Sequence, residues 1–262
     1  MLSYRKLAMR VLGRPLHTGG GIDSPRPASQ RAAAFVLTAA MLITLTAPAF
    51  AETWYIENGD ITVKASGTEG KNTVSQGNKK DVEDTNTIIT NQKTDKASSN
   101  TVTIETNGKN DKVEVTLKDV NIDTSSRNKA AVSVTGSGNT TIKLDGDNAL
   151  KSDIYRSGIY GSGSGSLTIS GGENDSLTAQ GGSGANGISS SGSLTISGGT
   201  VTANGDDGGS GIYSRGGVTI SGGSTVTANG DYGTISGGDG ICSSGVVTIS
   251  GGSTVTANGG NG

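Results

Sequence analysis

The stretch that decides the fold is SLTISGGTVTAN, residues 193–204. Its two strand-like segments, joined by Gly-Gly, recur later in the chain as GVTISGGSTVTAN (217–229) and VVTISGGSTVTAN (246–258), and earlier as SLTISGGENDSLTAQ (166–180). The equivalent isoleucines are spaced 27, 24 and 29 residues apart: Ile169, Ile196, Ile220 and Ile249. Repeats of roughly 20–50 residues are typical of solenoids and repeat arrays.

Apolar and polar residues alternate within each of these segments. Leu194 and Ile196 point to one side of the strand, while Thr195 points to the other, so one face is buried. A third short element also recurs, as GIY (158–160), GIS (187–189), GIY (211–213) and GIC (240–242). Three strands per repeat, separated by glycine-rich corners, predict the coil of a right-handed, single-stranded parallel β-helix.

Stacked coils bring equivalent residues into ladders that run along the helix. We expect an inner isoleucine ladder through the four isoleucines above and an outer threonine ladder, with asparagines at a turn. The threonines are Thr168, Thr195, Thr219 and Thr248, and the asparagines are Asn204, Asn229 and Asn258. The residues predicted to be buried are Leu194, Ile196, Val218, Ile220, Val247 and Ile249.

The chain divides into three regions by composition. Residues 1–51 have the pattern of a secretory signal peptide, 52–157 are predicted to form an N-terminal cap and irregular first coils, and 158–262 form the regular glycine-rich repeats. Thr53–Val63 is predicted to be a capping pair of strands. The repeats stop at residue 262, one strand short of a complete coil, so we expect the sequence to be truncated at its C-terminus.

The export signal is read from a charge-free apolar run, Ala32–Leu45. Arg31 and further basic residues precede the run, and Ala49-Phe50-Ala51 follows it as a small-residue cleavage site. The run is shorter than the roughly 20 apolar residues that cross a membrane. We therefore predict cleavage before Glu52, a secreted or cell-surface location, and a mature chain without a membrane span.

The mature sequence excludes several kinds of chemistry. Without residues 1–51 the chain has 15 basic and 22 acidic residues, a net charge of −7, which argues against nucleic acid as a partner. The only histidine, His17, is removed with the signal, and Cys242 is the only cysteine. This excludes a Ser-His-Asp triad, a Cys-His pair and a zinc site of the usual ligands.

The second half of the chain resembles a family of secreted bacterial carbohydrate-binding proteins with a pectate-lyase-like parallel β-helix. The resemblance is carried by DVNID (119–123), AAVSV (130–134) and TIKLDGDNAL (141–150), followed by the GIY, LTISGG and VTANG segments. It implies non-catalytic binding of an acidic or cellulosic glycan, with calcium. Family members commonly have Asp before Gly-Ile. Of the four equivalent residues here, only the last is an aspartate: Ser157, Asn186, Ser210 and Asp239.

The corner between the second and third strands of each repeat varies most in length. It carries most of the acids of the repeat region, which are Asp206, Asp207, Asp231 and Asp239. Variable loops on a regular scaffold tend to carry function, and carboxylate and carbonyl oxygens are the ligands of Ca²⁺. These four aspartates are the candidate calcium ligands; the alternative is a solvated acidic turn.

The candidate carbohydrate-binding residues are Tyr160, Tyr213, Tyr232 and Arg215. Tyr160 and Tyr213 occupy the same repeat position two coils apart, with Ser189 between them and Cys242 beyond. Two strand spacings correspond to about 9.6 Å, close to a disaccharide step in an extended polysaccharide. The alternative is a pair of exposed tyrosines without a ligand.

Three functions are compatible with this sequence. The preferred one is a non-catalytic, extracellular polysaccharide-binding protein. A structural surface stalk or adhesin segment is the second. A polysaccharide lyase is the third, and it is disfavoured because a lyase needs a basic residue to take a proton, whereas Arg215 is the only basic residue after position 161.

Overall fold

A computed structural model describes residues 51–234 and 236–262 of the chain. The described residues form three sheets of stacked strands that wind into a parallel β-helix of about six turns. The predicted fold class is therefore confirmed. Apart from Ala51, the predicted signal peptide lies outside the described residues, and its cleavage remains a prediction. Among the described residues, no helix has the length and apolar character of a membrane span.

Each sheet collects one strand from successive coils. Sheet A contains β1 (Thr53–Tyr55), β5 (Thr87–Thr90), β7 (Lys112–Lys118), β10 (Asn139–Asp145), β13 (Leu167–Ser170), β16 (Leu194–Ser197), β19 (Val218–Ser221) and β22 (Val247–Ile249). Sheet C contains β8 (Asn121–Asp123), β11 (Asp147–Lys151), β14 (Ser176–Gln180), β17 (Thr200–Asn204), β20 (Thr225–Asn229) and β23 (Thr254–Asn258).

Sheet B completes each coil. It contains β4 (Lys79–Asp84), β3 (Asn72–Gln76), β2 (Ile61–Ala65), β6 (Val102–Glu105), β9 (Val132–Thr135), β12 (Ile159–Gly161), β15 (Ile188–Ser190), β18 (Ile212–Ser214) and β21 (Ile241–Ser243). A three-residue 3-10 turn (Ile56–Asn58) separates β1 from β2. Neighbouring strands are parallel throughout, except that β3 pairs antiparallel with β2 and with β4. The same A–C–B order in successive coils is what stacks the repeats.

The predicted ladders lie in register. Ile142, Ile169, Ile196, Ile220 and Ile249 are direct partners in neighbouring strands of sheet A. The first four are fully buried in one continuous aliphatic core, whereas the intervening threonines are half-buried on the outer face. Burial of these side chains stabilises the stacked strands, because each fully buried aliphatic side chain contributes about 1.5–3 kcal/mol to the free energy of folding.

The last coil corrects one expectation. Val247 and Ile249 were predicted to be buried, but they are 44% and 52% exposed. They point to the inside of the coil like their partners Val218 and Ile220, yet β22 is the terminal strand of sheet A in the described residues. No further coil lies against them there, so in-register position alone does not bury a side chain. A neighbour on both sides is required.

The asparagine ladder is formed by side-chain hydrogen bonds. Asn229 donates from Nδ2 to Asn204 Oδ1, and Asn258 donates from Nδ2 to Asn229 Oδ1, each over 2.8 Å. The central amide, Asn229, thus donates toward one coil and accepts from the next. This arrangement satisfies the amides along the end of sheet C and fixes the register of the corner that follows.

The N-terminal end differs from the predicted capping strand pair. β1 and β2 do not pair with each other; β1 pairs with β5 in sheet A and β2 pairs with β6 in sheet B. The 3-10 turn between them forces the change of sheet. Trp54 is buried at this end, donates from its indole Nε1 to Asp84 Oδ2 over 2.8 Å, and lies under the ammonium group of Lys79.

The glycine that precedes the third strand packs tightly in every regular coil. At Gly211, an added Cβ would lie 2.5 Å from the backbone nitrogen of Asn229 and 2.7 Å from the carbonyl carbon of Ala228. Gly187 and Gly240 meet the corresponding asparagine nitrogens, of Asn204 and Asn258, equally closely. The Gly-Ile motif is therefore required by the close approach of one coil to the next.

We expect Gly211→Ala to lower the free energy of unfolding by about 1–3 kcal/mol, because backbone atoms must move to admit the methyl group. Gly108→Ala is the matched control, since its Cβ would meet nothing closer than 3.7 Å. Denaturant unfolding followed by circular dichroism measures both. Equal stability of the two variants would contradict tight packing at this glycine.

Ion pairs tie the early coils together. Asp60 accepts hydrogen bonds from Arg127 at 2.7 and 3.1 Å and from Lys129 at 2.9 Å, and it also accepts the Thr101 N–H. Partial burial would raise the pKa of Asp60, but the hydrogen bonds from Arg127 and Lys129, with that of Thr101, lower it to about 2. The folded state therefore stabilises the charged form of Asp60.

We expect Asp60→Asn to reduce stability at pH 7 by about 1 kcal/mol, a value that allows for the partial exposure of the pair. Because the folded pKa lies below the ordinary value of 3.8, the difference from the wild type is complete above pH 3.8 and disappears as the pH falls toward about 2. Thermal melts between pH 2 and pH 7 measure it. Asp95→Asn is the control, since Asp95 is exposed and forms no ion pair in the described part of the chain. A difference that is independent of pH would refute the assignment.

Candidate functional site

Two tyrosines predicted from the sequence share one row on the outer face of sheet B. Tyr160 on β12 pairs with Ser189 on β15, which pairs with Tyr213 on β18. Their neighbours Ile159 and Ile212 are fully buried, so strand alternation turns both rings outward. Tyr160 is 42% exposed and Tyr213 is half-buried. The predicted register is confirmed, with the tyrosines two strand spacings, about 9.6 Å, apart.

The row continues on both sides of the tyrosines. Ser189 is buried between the coils that carry them, so a small side chain separates the two aromatic rings. Cys242 pairs with Tyr213 in the next strand. Burial raises the pKa of the Cys242 thiol, and the adjacent carboxylate of Asp239 raises it further. The thiol is therefore protonated at neutral pH and is a poor nucleophile.

The other two candidate carbohydrate-binding residues lie outside this row. Arg215 follows β18 and is exposed, and within residues 51–234 and 236–262 it forms no ion pair. Tyr232 is exposed in the corner between β20 and β21, next to Asp231. The structure thus places Arg215 close in sequence to Tyr213 at the end of one strand, and Tyr232 on the adjacent corner of the coil.

The four candidate calcium ligands do not form one compact group. Asp207 accepts a hydrogen bond from Ser183 Oγ at 3.0 Å, and its own N–H donates to Asp231 Oδ2 at 3.2 Å. Asp206 precedes this pair and is half-buried. Asp239 lies apart, next to Cys242, and donates its N–H to Ser210 Oγ at 3.1 Å.

These acids also lack cationic partners. All the ion pairs of the described residues lie between Glu52 and Lys151, in the early coils. In the same described part of the chain, no group of three or more His, Cys, Asp or Glu side chains is arranged to hold a metal ion. Asp206, Asp207 and Asp231 therefore form an uncompensated acidic strip along one corner, and calcium binding there remains a prediction.

Sequence reasoning missed a groove at the corner between β11 and β12. Its volume is about 580 Å³, and Asp153, Ile154, Gln180, Ser183 and Asp206 are among the residues that line it. Tyr155 lies beside these residues, 77% exposed and with φ of +59°, a left-handed conformation that is rare for an aromatic residue. The sequence signal was the apolar pair Ile-Tyr in an otherwise polar corner.

Comparison of the chain with protein-family models, with curated proteins and with solved structures found no match. The likeness to secreted carbohydrate-binding proteins therefore stays a prediction from the sequence motifs, whereas the parallel β-helix itself is established by the strand pairing.

Proposed function

We propose that this protein is a non-catalytic polysaccharide-binding β-helix that acts outside the cell. The observation that carries the proposal is the pair of outward-facing rings, Tyr160 and Tyr213, held in register on sheet B with the small Ser189 between them. Tyrosine offers an apolar face to the C–H groups of a sugar and a hydroxyl to its polar edge. A fixed spacing of about 9.6 Å suits a repeating, extended polymer.

The chemistry around the tyrosine row supports binding rather than catalysis. The sequence after residue 51 has no histidine, and the only thiol, that of Cys242, has a raised pKa. Arg215 is the only basic residue after position 161. Proton abstraction by a lyase needs a base whose pKa lies near the working pH. Neither the Cys242 thiol nor the Arg215 guanidinium meets that requirement.

We expect Tyr160→Ala and Tyr213→Ala each to weaken polysaccharide binding about tenfold, which corresponds to about 1.4 kcal/mol. The measurement is a glycan array followed by isothermal titration with the best ligand. Tyr55→Ala is the matched control, because Tyr55 is also a partly exposed tyrosine on a strand but lies on sheet A at the other end of the described coils.

The same experiment separates the alternatives. A wild-type protein that binds no glycan would favour the surface stalk or adhesin segment. Release of unsaturated sugar from a bound polymer would show a lyase instead. Loss of affinity in all three tyrosine variants alike would mean that the row on sheet B is not the site.

Calcium assistance is the second part of the proposal. Asp206, Asp207 and Asp231 lie in neighbouring coils without cationic partners, so their mutual repulsion opposes folding. A divalent ion that binds only the folded state stabilises it by mass action. We therefore propose Ca²⁺ as a counter-ion of this acidic strip, held by no more than two of the three carboxylates at a time, with backbone carbonyls and water completing the coordination.

We expect calcium to raise the melting temperature by several degrees, and the triple change Asp206→Asn, Asp207→Asn and Asp231→Asn to abolish the increase. Differential scanning calorimetry with and without calcium measures it. Asp95→Asn should leave the calcium effect unchanged. If magnesium at the same ionic strength raises the melting temperature equally, the effect is only charge screening. If neither ion changes the melting temperature, the calcium site is refuted.

A further inference from the structure

The corner groove runs along the axis of the β-helix. The residues that line it belong to successive coils: Ser125 follows β8, Asp153 follows β11, Ser183 follows β14 and Asp206 follows β17. Three coil spacings give the groove a length of about 14 Å. A groove that crosses the coils in this direction fits an extended oligomer and is longer than a single sugar.

Tyr155 provides a fixed aromatic surface next to the groove. Its N–H donates to the carbonyl oxygen of Ser183 in the next coil at 2.8 Å. Its ring lies against Gly184, where an added Cβ would be only 2.7 Å from Cε1. The ring is thus supported by backbone on one side, while most of the side chain remains exposed.

The left-handed conformation of Tyr155 belongs to the corner, because Asn128, Gly184 and Asp207 also have positive φ at the same corner of neighbouring coils, and what distinguishes Tyr155 is its aromatic side chain. A positive φ costs an aromatic residue free energy, and the exposed ring does not repay that cost by burial in the core. The exposed ring beside the groove offers an aromatic face on which the apolar face of a sugar can stack. Ile154, the neighbouring exposed apolar residue, extends the surface into the groove.

The polar lining of the groove matches the hydroxyl groups of a sugar. The Asp153 carboxylate is oriented by the N–H groups of Ile154 and Asn128. The amide of Gln180 lies at the end of β14, where it donates to the Gly181 carbonyl at 3.1 Å. Carboxylate and amide groups on one wall can bind adjacent hydroxyls, while Ile154 and Tyr155 contact the apolar face.

The charge of the groove decides which glycan it takes. Lys151 is paired with Asp123 at 3.5 Å, whereas Asp153 and Asp206 have no ion-pair partner among the described residues. In the absence of calcium the acidic groups around the groove, with Asp207 beside Asp206, outnumber the basic ones even when the exposed Arg156 is counted, and a polyuronate would be repelled. We propose that the groove beside Tyr155 is a binding subsite for a neutral polysaccharide. The inference rests on the proposed function and specifies its ligand class and a second contact surface.

The test uses Tyr155→Asn, because asparagine tolerates positive φ and removes only the ring. Binding of cellohexaose, mannohexaose and hexagalacturonate is measured by titration in EDTA, and melting temperature is recorded in parallel. We expect the wild type to bind a neutral hexasaccharide in preference to hexagalacturonate. We expect Tyr155→Asn to bind it about tenfold more weakly, with an equal or higher melting temperature. Tyr55→Ala should change neither.

A second variant tests the charge. The double change Asp153→Asn and Asp206→Asn should weaken binding of the neutral hexasaccharide severalfold and remove the discrimination against hexagalacturonate. Unchanged affinity in both variants, while Tyr160→Ala abolishes binding, would overturn the groove and leave the proposed function standing. Tighter binding of hexagalacturonate than of the neutral sugars by the wild type would overturn the ligand class. Binding of no glycan at all would overturn both proposals.

Discussion

In-register stacking of parallel strands is the constraint on which every other feature depends. Each residue of a regular coil faces its equivalent in the next, as Ile196 faces Ile220, so backbone hydrogen bonds and the apolar core are shared between coils. A single coil buries too little to fold alone, and its stability comes from its neighbours. The exposure of Val247 on the last described strand of sheet A shows the same dependence, because that side chain is on the inner face and no described coil covers it.

The requirement for register also separates the parts of the coil that are fixed from those that vary. In the regular coils the strands keep nearly the same length and pattern, with four residues in β13, β16 and β19 of sheet A and five in β14, β17, β20 and β23 of sheet C, and the glycines before the third strand keep the backbones close. The corner between sheets C and B is free to change, and both the acidic strip and the groove beside Tyr155 lie there. The tyrosine row lies on the strand that follows this corner. The proposed ligand contacts are thus confined to one side of the coil.

The sequence predicted those features that repetition alone determines. The isoleucine and asparagine ladders and the alignment of Tyr160 with Tyr213 follow from the period and the alternation. Features that depend on a specific contact between coils could not be read in this way. In sequence Tyr155 is only part of an apolar pair in a polar corner, whereas its support by Gly184 and its place beside the groove exist only after stacking. The first strands were misassigned as a pair because a 3-10 turn redirects the chain without a glycine or proline signal in the turn itself.

The register of equivalent residues has a consequence for how such a chain changes length. An in-frame duplication of residues 217–245 would insert one whole coil, and every new strand would face the same partners as the old one. A deletion of the same segment would rejoin matching strands. The protein can therefore grow or shrink in steps of one coil, about 4.8 Å, without a new kind of contact. Each added coil also lengthens the rows of outward-facing residues by the same step. The length of polymer that the surface can contact therefore depends on the number of coils, without a change in any existing residue.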